Sequence, residues 1–315
     1  MTSRASASTT SAPDPSALGG RAPRTLDGPL LIAGDDADAS YGALTLGELL
    51  ARRDRVNAHV LGAVRPVRSP VWSTVRVDPE ALEAGRRGAF LERLRRRVHQ
   101  AVGQSGFFSV DVVTGNPAWA LAAEARARGS ACILVGLAAP GTPERAASED
   151  MVLHLTSTAD VPVIAVPAEY ARLPARALVA MDFSETSRRA AAMTARLLAP
   201  GATLTLAHVE PEADLRALGH EGLAEIYERG VAGLFEELVA ELRGESDAVI
   251  ETVLLKGEAA PAVLDFAASR DYELIACGTQ GESALDRHFT GSVSTALLRG
   301  APRGVLIAPP ARART

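Results

Sequence analysis

The feature that most constrains this chain is that it is written twice. Gly136 stands 142 residues before Gly278, Gly115 the same distance before Gly257, and Pro167 before Pro309. Near the start of each copy the offset is 147, from Asp35 to Asp182 and from Ser40 to Ser187. The first copy therefore carries about five extra residues before its third strand. Two copies of one unit are expected, over 28–168 and 174–310, behind a tail of residues 1–27. The first 24 residues are rich in Ser, Thr, Ala and Pro without an apolar stretch, which predicts disorder and no secretory signal.

Each copy alternates short apolar runs with helical periodicity. In the first, strands are expected at Leu30–Gly34, Val56–Val64, Phe107–Val113, Ala131–Gly136 and Val161–Val166. Helices are expected over Ala39–Arg52, Glu80–Val102 and Pro117–Arg128. Leu91, Leu94, Val98 and Val102 form the apolar face of the second helix, and Arg93, Arg95, Arg96 and Arg97 a solvated one. In the second copy the strands are Ala177–Met181, Thr203–Val209, Ala248–Leu255, Leu274–Cys277 and Val305–Ala308. Ser184 caps a helix that Pro200-Gly201 stops. A long helical segment covers Leu215–Leu242, with Val231, Leu234, Phe235, Leu238 and Leu242 buried. Continuous apolar strands separated by helices imply an α/β fold: two tandem five-stranded parallel-sheet domains with helices on both faces. Ligands of such sheets bind at the carboxyl ends of the strands.

At one such end lies Gly278-Thr279-Gln280-Gly281, then nine residues, then Gly291-Ser292-Val293-Ser294 opening a helix to Arg299. A strand, a glycine loop and a helix N-terminus together suit phosphate, because free amides and the positive helix pole face the anion. The chain has 33 Lys and Arg, of which only Lys256 is lysine, and it does not follow a glycine loop as a Walker motif requires. Net charge is -5, which argues against nucleic acid as a partner. Cys132 and Cys277 sit in apolar runs and no zinc-ligand spacing appears. No apolar run has the length of a membrane span, so a cytoplasmic protein with no membrane partner is expected.

The spacing Gly-two-Gly-nine-Gly-Ser resembles the nucleotide-binding motif of the universal stress protein family, and the resemblance extends over both copies. It implies the adenine-nucleotide alpha hydrolase-like fold, with strand order 3-2-1-4-5, and a bound adenine nucleotide, ATP, with Mg2+ entering on it. It implies that Asp182 contacts the adenosine part and Val209 lines the adenine pocket. Gly278 and Gly281 would approach ribose and phosphates; Gly291, Ser292, Val293 and Ser294 would offer amides and hydroxyls. Asp182 and Ser292 also suit plain capping roles, which the residues leave open. In the first copy, subtracting 142 places Ala139, Glu149 and Asp150 at the positions of Gly281, Gly291 and Ser292. Two carboxylates at that helix start would repel a polyanion, so only the second copy is expected to bind. The first would serve as a pseudo-dimer partner, its fifth strand a candidate contact as in family dimers, and a homodimer is equally open.

The competing expectation is a scaffold that binds a protein and no nucleotide. Asp286 and His288 lie too close in one loop to support a hydrolytic triad. The signatures of adenylyl-transferring α/β enzymes are absent, which argues against that class; with no general base or arginine-finger arrangement in the sequence, at most slow ATP hydrolysis is expected.

Overall fold

The computed structural model describes residues 25–35, 37–66, 79–210, 223–279, 291–301 and 303–311. It divides into two compact units, one over Leu26–Arg172 and the other from Leu173 on. In the N-terminal unit, strands β1 (Leu30–Gly34), β2 (Ala58–Val64), β3 (Phe108–Thr114), β4 (Cys132–Leu137) and β5 (Val163–Pro167) pair in parallel in the order β3-β2-β1-β4-β5. In the C-terminal unit, β6 (Arg176–Met181), β7 (Thr203–Glu210), β8 (Val249–Lys256), β9 (Leu274–Gly278) and β10 (Gly304–Ala308) repeat it as β10-β9-β6-β7-β8. Both are the expected 3-2-1-4-5 order.

The described helices are α1 (Ser40–Asp54), α2 (Pro79–Val102), α3 (Pro117–Arg128), α4 (Pro143–Thr158), α5 (Glu185–Leu197), α6 (Leu223–Leu242), α7 (Ala259–Ser269) and α8 (Ser292–Gly300). Most boundaries fall within two residues of expectation. The sequence signals explain the caps: Asn116 accepts from the amides of Ala118 and Trp119 ahead of Pro117, and Ser184 accepts from Ser187 N at 3.3 Å. Residues 215–222 of the expected long helix lie outside the described residues.

Burial follows position in the sheet. Every residue of β4 is buried, whereas β3 and β8 alternate between exposed and half-buried residues along much of their length. Three expected core positions need correction. On α2 the buried stripe is Phe90, Leu94 and Val98, and Leu91 and Val102 are only half-buried. On α6 Leu234 is exposed while Val231, Phe235, Leu238 and Leu242 are buried, since a stripe at this spacing leaves position 234 to one side. Cys132 and Cys277 are buried free thiols, pushed up to about 12 by burial. Alkylation by iodoacetamide at neutral pH should therefore spare both in the folded protein and reach both in urea, as mass spectrometry would read.

Candidate functional site

The carboxyl end of β6 is built by a local turn. The Oδ1 atom of Asp182 accepts hydrogen bonds from Ser184 N at 3.0 Å and Ser184 Oγ at 2.6 Å, so the capping role is real. Between them Phe183 takes a left-handed backbone, φ 61°, which a bulky residue adopts only under constraint. The constraint is its ring, which lies 5.1 Å from those of His208 and Phe235. His208 Nδ1 sits 2.7 Å from the carbonyl of Met181 and must donate to it; Nε2 then accepts from the Tyr227 hydroxyl at 2.6 Å. None of Phe183, His208 and Tyr227 was singled out by sequence, because their roles depend on three different elements meeting.

Val209 follows, half-buried and paired in register with Leu255. Beyond it Glu210 is 4% exposed, and its Oε2 has no hydrogen-bond partner, with Lys256 Nζ at 3.5 Å. Burial first, and the Glu210 charge second, push the Tyr227 phenol up.

Gly278 ends β9, and its missing side chain has a packing consequence. A Cβ there would overlap Thr186 Oγ1 and would lie 2.8 Å from Thr186 Cβ and 2.9 Å from Ser187 N. The missing side chain is filled by the first turn of α5. Gly136 is the same device: a Cβ would overlap the Ala39 carbonyl and lie 2.8 Å from Ser40 N, at the start of α1. This glycine survives in both copies because helix and strand touch there.

Gly281, Asp286, Arg287 and His288 lie outside the described residues. The loop re-enters at Gly291, whose N–H donates to Thr279 O at 2.8 Å, tying the start of α8 to the end of β9. Gly291 φ and ψ suit any residue, but a Cβ would lie 2.8 Å from Thr279 O. Ser294 is buried and its hydroxyl donates to Gly291 O at 2.9 Å, so that hydroxyl is committed internally. Ser292 is exposed, Val293 half-buried, and among the described residues no side chain caps α8. The amides of its first turn have no intrahelical acceptor. Beside them Thr279 is 4% exposed and its Oγ1 has no hydrogen-bond partner among the described residues. The N-termini of α5 and α8 thus both reach the end of β9, and Asp182 and Gly291 belong to one contiguous set of residues.

The first copy is built differently from expectation. Glu149 and Asp150 do not open its helix; they lie inside α4. The two helices end at matching positions, Thr158 and Gly300, while α4 has 16 residues and α8 nine. The offset pairs the residues correctly, but α4 opens at Pro143, ahead of the positions that match Gly291 and Ser292. Thr142 caps α4 by accepting from Arg145 N at 3.2 Å, and Pro143 at its first turn has no N–H. Arg145 pairs with Glu149 at 2.5 Å, both largely buried, and its Nη1 reaches Ala138 O at 3.4 Å. Ala138 N donates to Ser148 Oγ at 3.4 Å, so α4 itself closes the end of β4. The acids therefore repel nothing at the helix start; the cap and the proline occupy it. The signal was in the sequence, as Thr142-Pro143-Glu144.

Among the described residues no helix is long and apolar enough to cross a membrane. The family model described as "Universal stress protein family" matches residues 175–309. A Thermus aquaticus protein described as a universal stress protein in the QAH/OAS sulfhydrylase 3' region is 34% identical over 137 residues, 41% of this chain and 95% of its own length. A universal stress protein from Archaeoglobus fulgidus has an 18% identical structure of TM-score 0.60, covering 89% of this chain and 98% of its own. A Pseudomonas aeruginosa protein of unknown function is 20% identical with TM-score 0.56, over 90% of this chain and 92% of its own. A universal stress protein solved in complex with cAMP matches 45% of this chain and 98% of its own, 14% identical with TM-score 0.33. The two larger structures share the fold across both copies, and the Thermus relative aligns over nearly its whole length; with the doubled 3-2-1-4-5 sheet, this places the chain in the universal stress protein family.

Proposed function

We propose that the C-terminal unit binds an adenine nucleotide, ATP, at the carboxyl end of its sheet, and that it uses the nucleotide for regulation in place of fast catalysis. The observation that carries this reading is the contrast between two helix starts. Among the described residues that of α8 has no side-chain cap, an exposed Ser292, and beside it the buried Thr279 Oγ1 without a hydrogen-bond partner. That of α4 is capped by Thr142 and opened by Pro143. Amides without acceptors at a helix N-terminus suit phosphate oxygens.

In this reading the amides of Ser292 and Val293, with the Ser292 hydroxyl, hold phosphate. Gly291 and Ser294 shape the turn, their N–H and hydroxyl being committed to Thr279 O and Gly291 O. Asp182 and Val209 stand at the adenosine end. The second carboxylate oxygen of Asp182 accepts no hydrogen bond from the described residues, and it would be the one offered to ribose. Gly281, which the resemblance also assigns to ribose and phosphates, lies outside the described residues. Mg2+ would arrive on the triphosphate, since it prefers phosphate oxygens and retained water to an all-protein cage.

Equilibrium dialysis of the full chain with ATP tests the reading: one nucleotide per chain is expected, two would refute the assignment to one copy, and none would refute nucleotide binding. The last result would favour a protein-binding scaffold, for which the exposed Ile226 and Leu234 of α6 are the supporting observation.

A further inference from the structure

The N-terminal unit holds a histidine in its interior. His59, on β2, is 2% exposed, whereas His99 and His154 of the same unit are exposed. Its Nδ1 lies 2.8 Å from Ser109 Oγ, and its Nε2 is buried with no hydrogen-bond partner among the described residues. Charged groups approach this nitrogen from two elements. On β3, Asp111 Oδ2 stands 3.8 Å away, and on α3, Glu124 Oε1 stands 3.7 Å away, both beyond hydrogen-bonding reach. On the other side, β1 pairs Leu31 with His59 in register and brings no charge. Arg128, one turn on from Glu124, donates from its Nε to that same Oε1 at 2.5 Å. One carboxylate oxygen therefore lies between a guanidinium that it binds and an imidazole that it does not quite reach.

An imidazole shut away from water and without a partner is held neutral, because burial disfavours its charged form. Burial is the larger cause here and the Arg128 charge adds to it, against Asp111 and Glu124, so His59 titrates below its ordinary value. Protonation puts a hydrogen on both ring nitrogens, and Nε2 then needs an acceptor. The nearest is Glu124 Oε1, and a shift of about 1 Å brings it within reach. The same shift takes that oxygen from Arg128 at the end of α3. Arg128 lines a recess of about 380 Å³ together with Asn57 and Phe107, so its guanidinium has room to swing away.

The C-terminal unit lacks this arrangement. His59 pairs in register with Leu31, and Thr205 with Leu178, the counterpart of Leu31 at the 147 offset. Thr205 therefore stands where His59 does. Its Oγ1 accepts from the hydroxyl of Tyr272 at 2.7 Å, and both residues are buried. A threonine takes up no proton as the medium turns acid. At the 142 offset Phe266 stands where Glu124 does, so the carboxylate is missing as well. The first copy alone sets a titrating ring beside a shared acid.

We propose that His59 is an acid-sensitive latch of the N-terminal unit: its protonation draws Glu124 off Arg128, loosens α3 from β2 and β3, and lowers the stability of this unit. The copy without the assigned nucleotide site thereby responds to proton concentration, and the latch stands or falls without that site. The direction follows from linkage. The unfolded chain takes up the proton at the ordinary histidine value of 6.5, before the folded unit does. Stability is therefore full above that pH, falls as the pH drops below it, and levels off once the folded imidazole is also charged. Inside this window the folding constant drops about tenfold per pH unit, because one extra proton binds to each unfolded chain.

The test compares the full-length wild type with His59→Gln in urea titrations at about pH 7.5 and about pH 5.5, on either side of the ordinary histidine value. Tryptophan fluorescence follows the transition, Trp119 standing on α3. The wild-type midpoint should fall by roughly 0.5–1 M urea for each pH unit inside the window. His59→Gln should lose much less, whatever its midpoint at the higher pH. Hydrogen exchange at the lower pH should be faster on α3 in the wild type than in the variant, with peptides around Thr205 alike in both. By NMR the His59 ring should titrate below 6.5, and lower still in Glu124→Gln, which removes the acceptor. An equal pH dependence of the midpoint in wild type and His59→Gln would overturn the proposal. So would a ring that titrates at or above 6.5, or exchange on α3 that the variant leaves unchanged.

Discussion

Gly136→Ala lowers the stability of the N-terminal unit by about 3 kcal/mol, the upper part of the range for forcing atoms into a filled interior. The new methyl would overlap the carbonyl of Ala39 and crowd Ser40 N, both backbone atoms at the start of α1. No side-chain rotation relieves that; the helix has to move off β4. Both tryptophans fall in the first copy by sequence, Trp119 on α3 and Trp72 outside the described residues, so tryptophan fluorescence in a urea titration follows this copy. A midpoint unchanged from wild type would show that the glycine is dispensable for packing. Nucleotide binding should survive the substitution, because the phosphate site is assigned to the other copy. Gly278→Ala should be as damaging to the C-terminal unit, by overlap with Thr186. A loss of ATP binding in Gly278→Ala would therefore reflect unfolding of the α5 contact and is a poor test of ligand contact.

Ser292→Pro is the better test, and its expected result is a fall in ATP affinity of about 10- to 100-fold with little change in stability. Proline is accepted at the first position of a helix, where its missing N–H has no intrahelical acceptor. The preceding Gly291 has φ -57° and ψ 151°, a conformation that a residue before proline adopts readily. The substitution removes one amide donor and the exposed hydroxyl. A hydrogen bond to a charged group contributes about 1.5–3 kcal/mol, which sets the size of the effect. It also imitates the first copy, whose α4 opens at Pro143. Substituting Gly291 would be less informative, because any Cβ there presses on Thr279 O and shifts the loop by itself. Calorimetric titration with ATP, alongside a thermal melt, separates the two effects. Affinity equal to wild type would remove the helix start from the phosphate site.

The strands, most helix boundaries and the duplication were readable in the residues because each rests on local information: apolar runs, caps and spacing. The start of α4 was equally readable from Thr142 and Pro143, but carrying Gly291 and Ser292 back by 142 finds the corresponding residues and not where the helix begins. Leu234 was assigned to the core by periodicity alone, which marks a face of a helix but not how wide a face its neighbours cover.

By itself the sequence determined the fold class and the order of elements. These follow from periodicity and backbone preference, which act over a few residues. Only the tertiary structure decided what each of those residues does. Gly278 makes room for α5, Ser294 spends its hydroxyl on Gly291, Phe183 is forced into a left-handed backbone, and His59 lies buried with a nitrogen unanswered. Apart from the local Ser294 bond, those outcomes depend on atoms contributed by another element, in some cases more than fifty residues away, and close packing alone brings such atoms together.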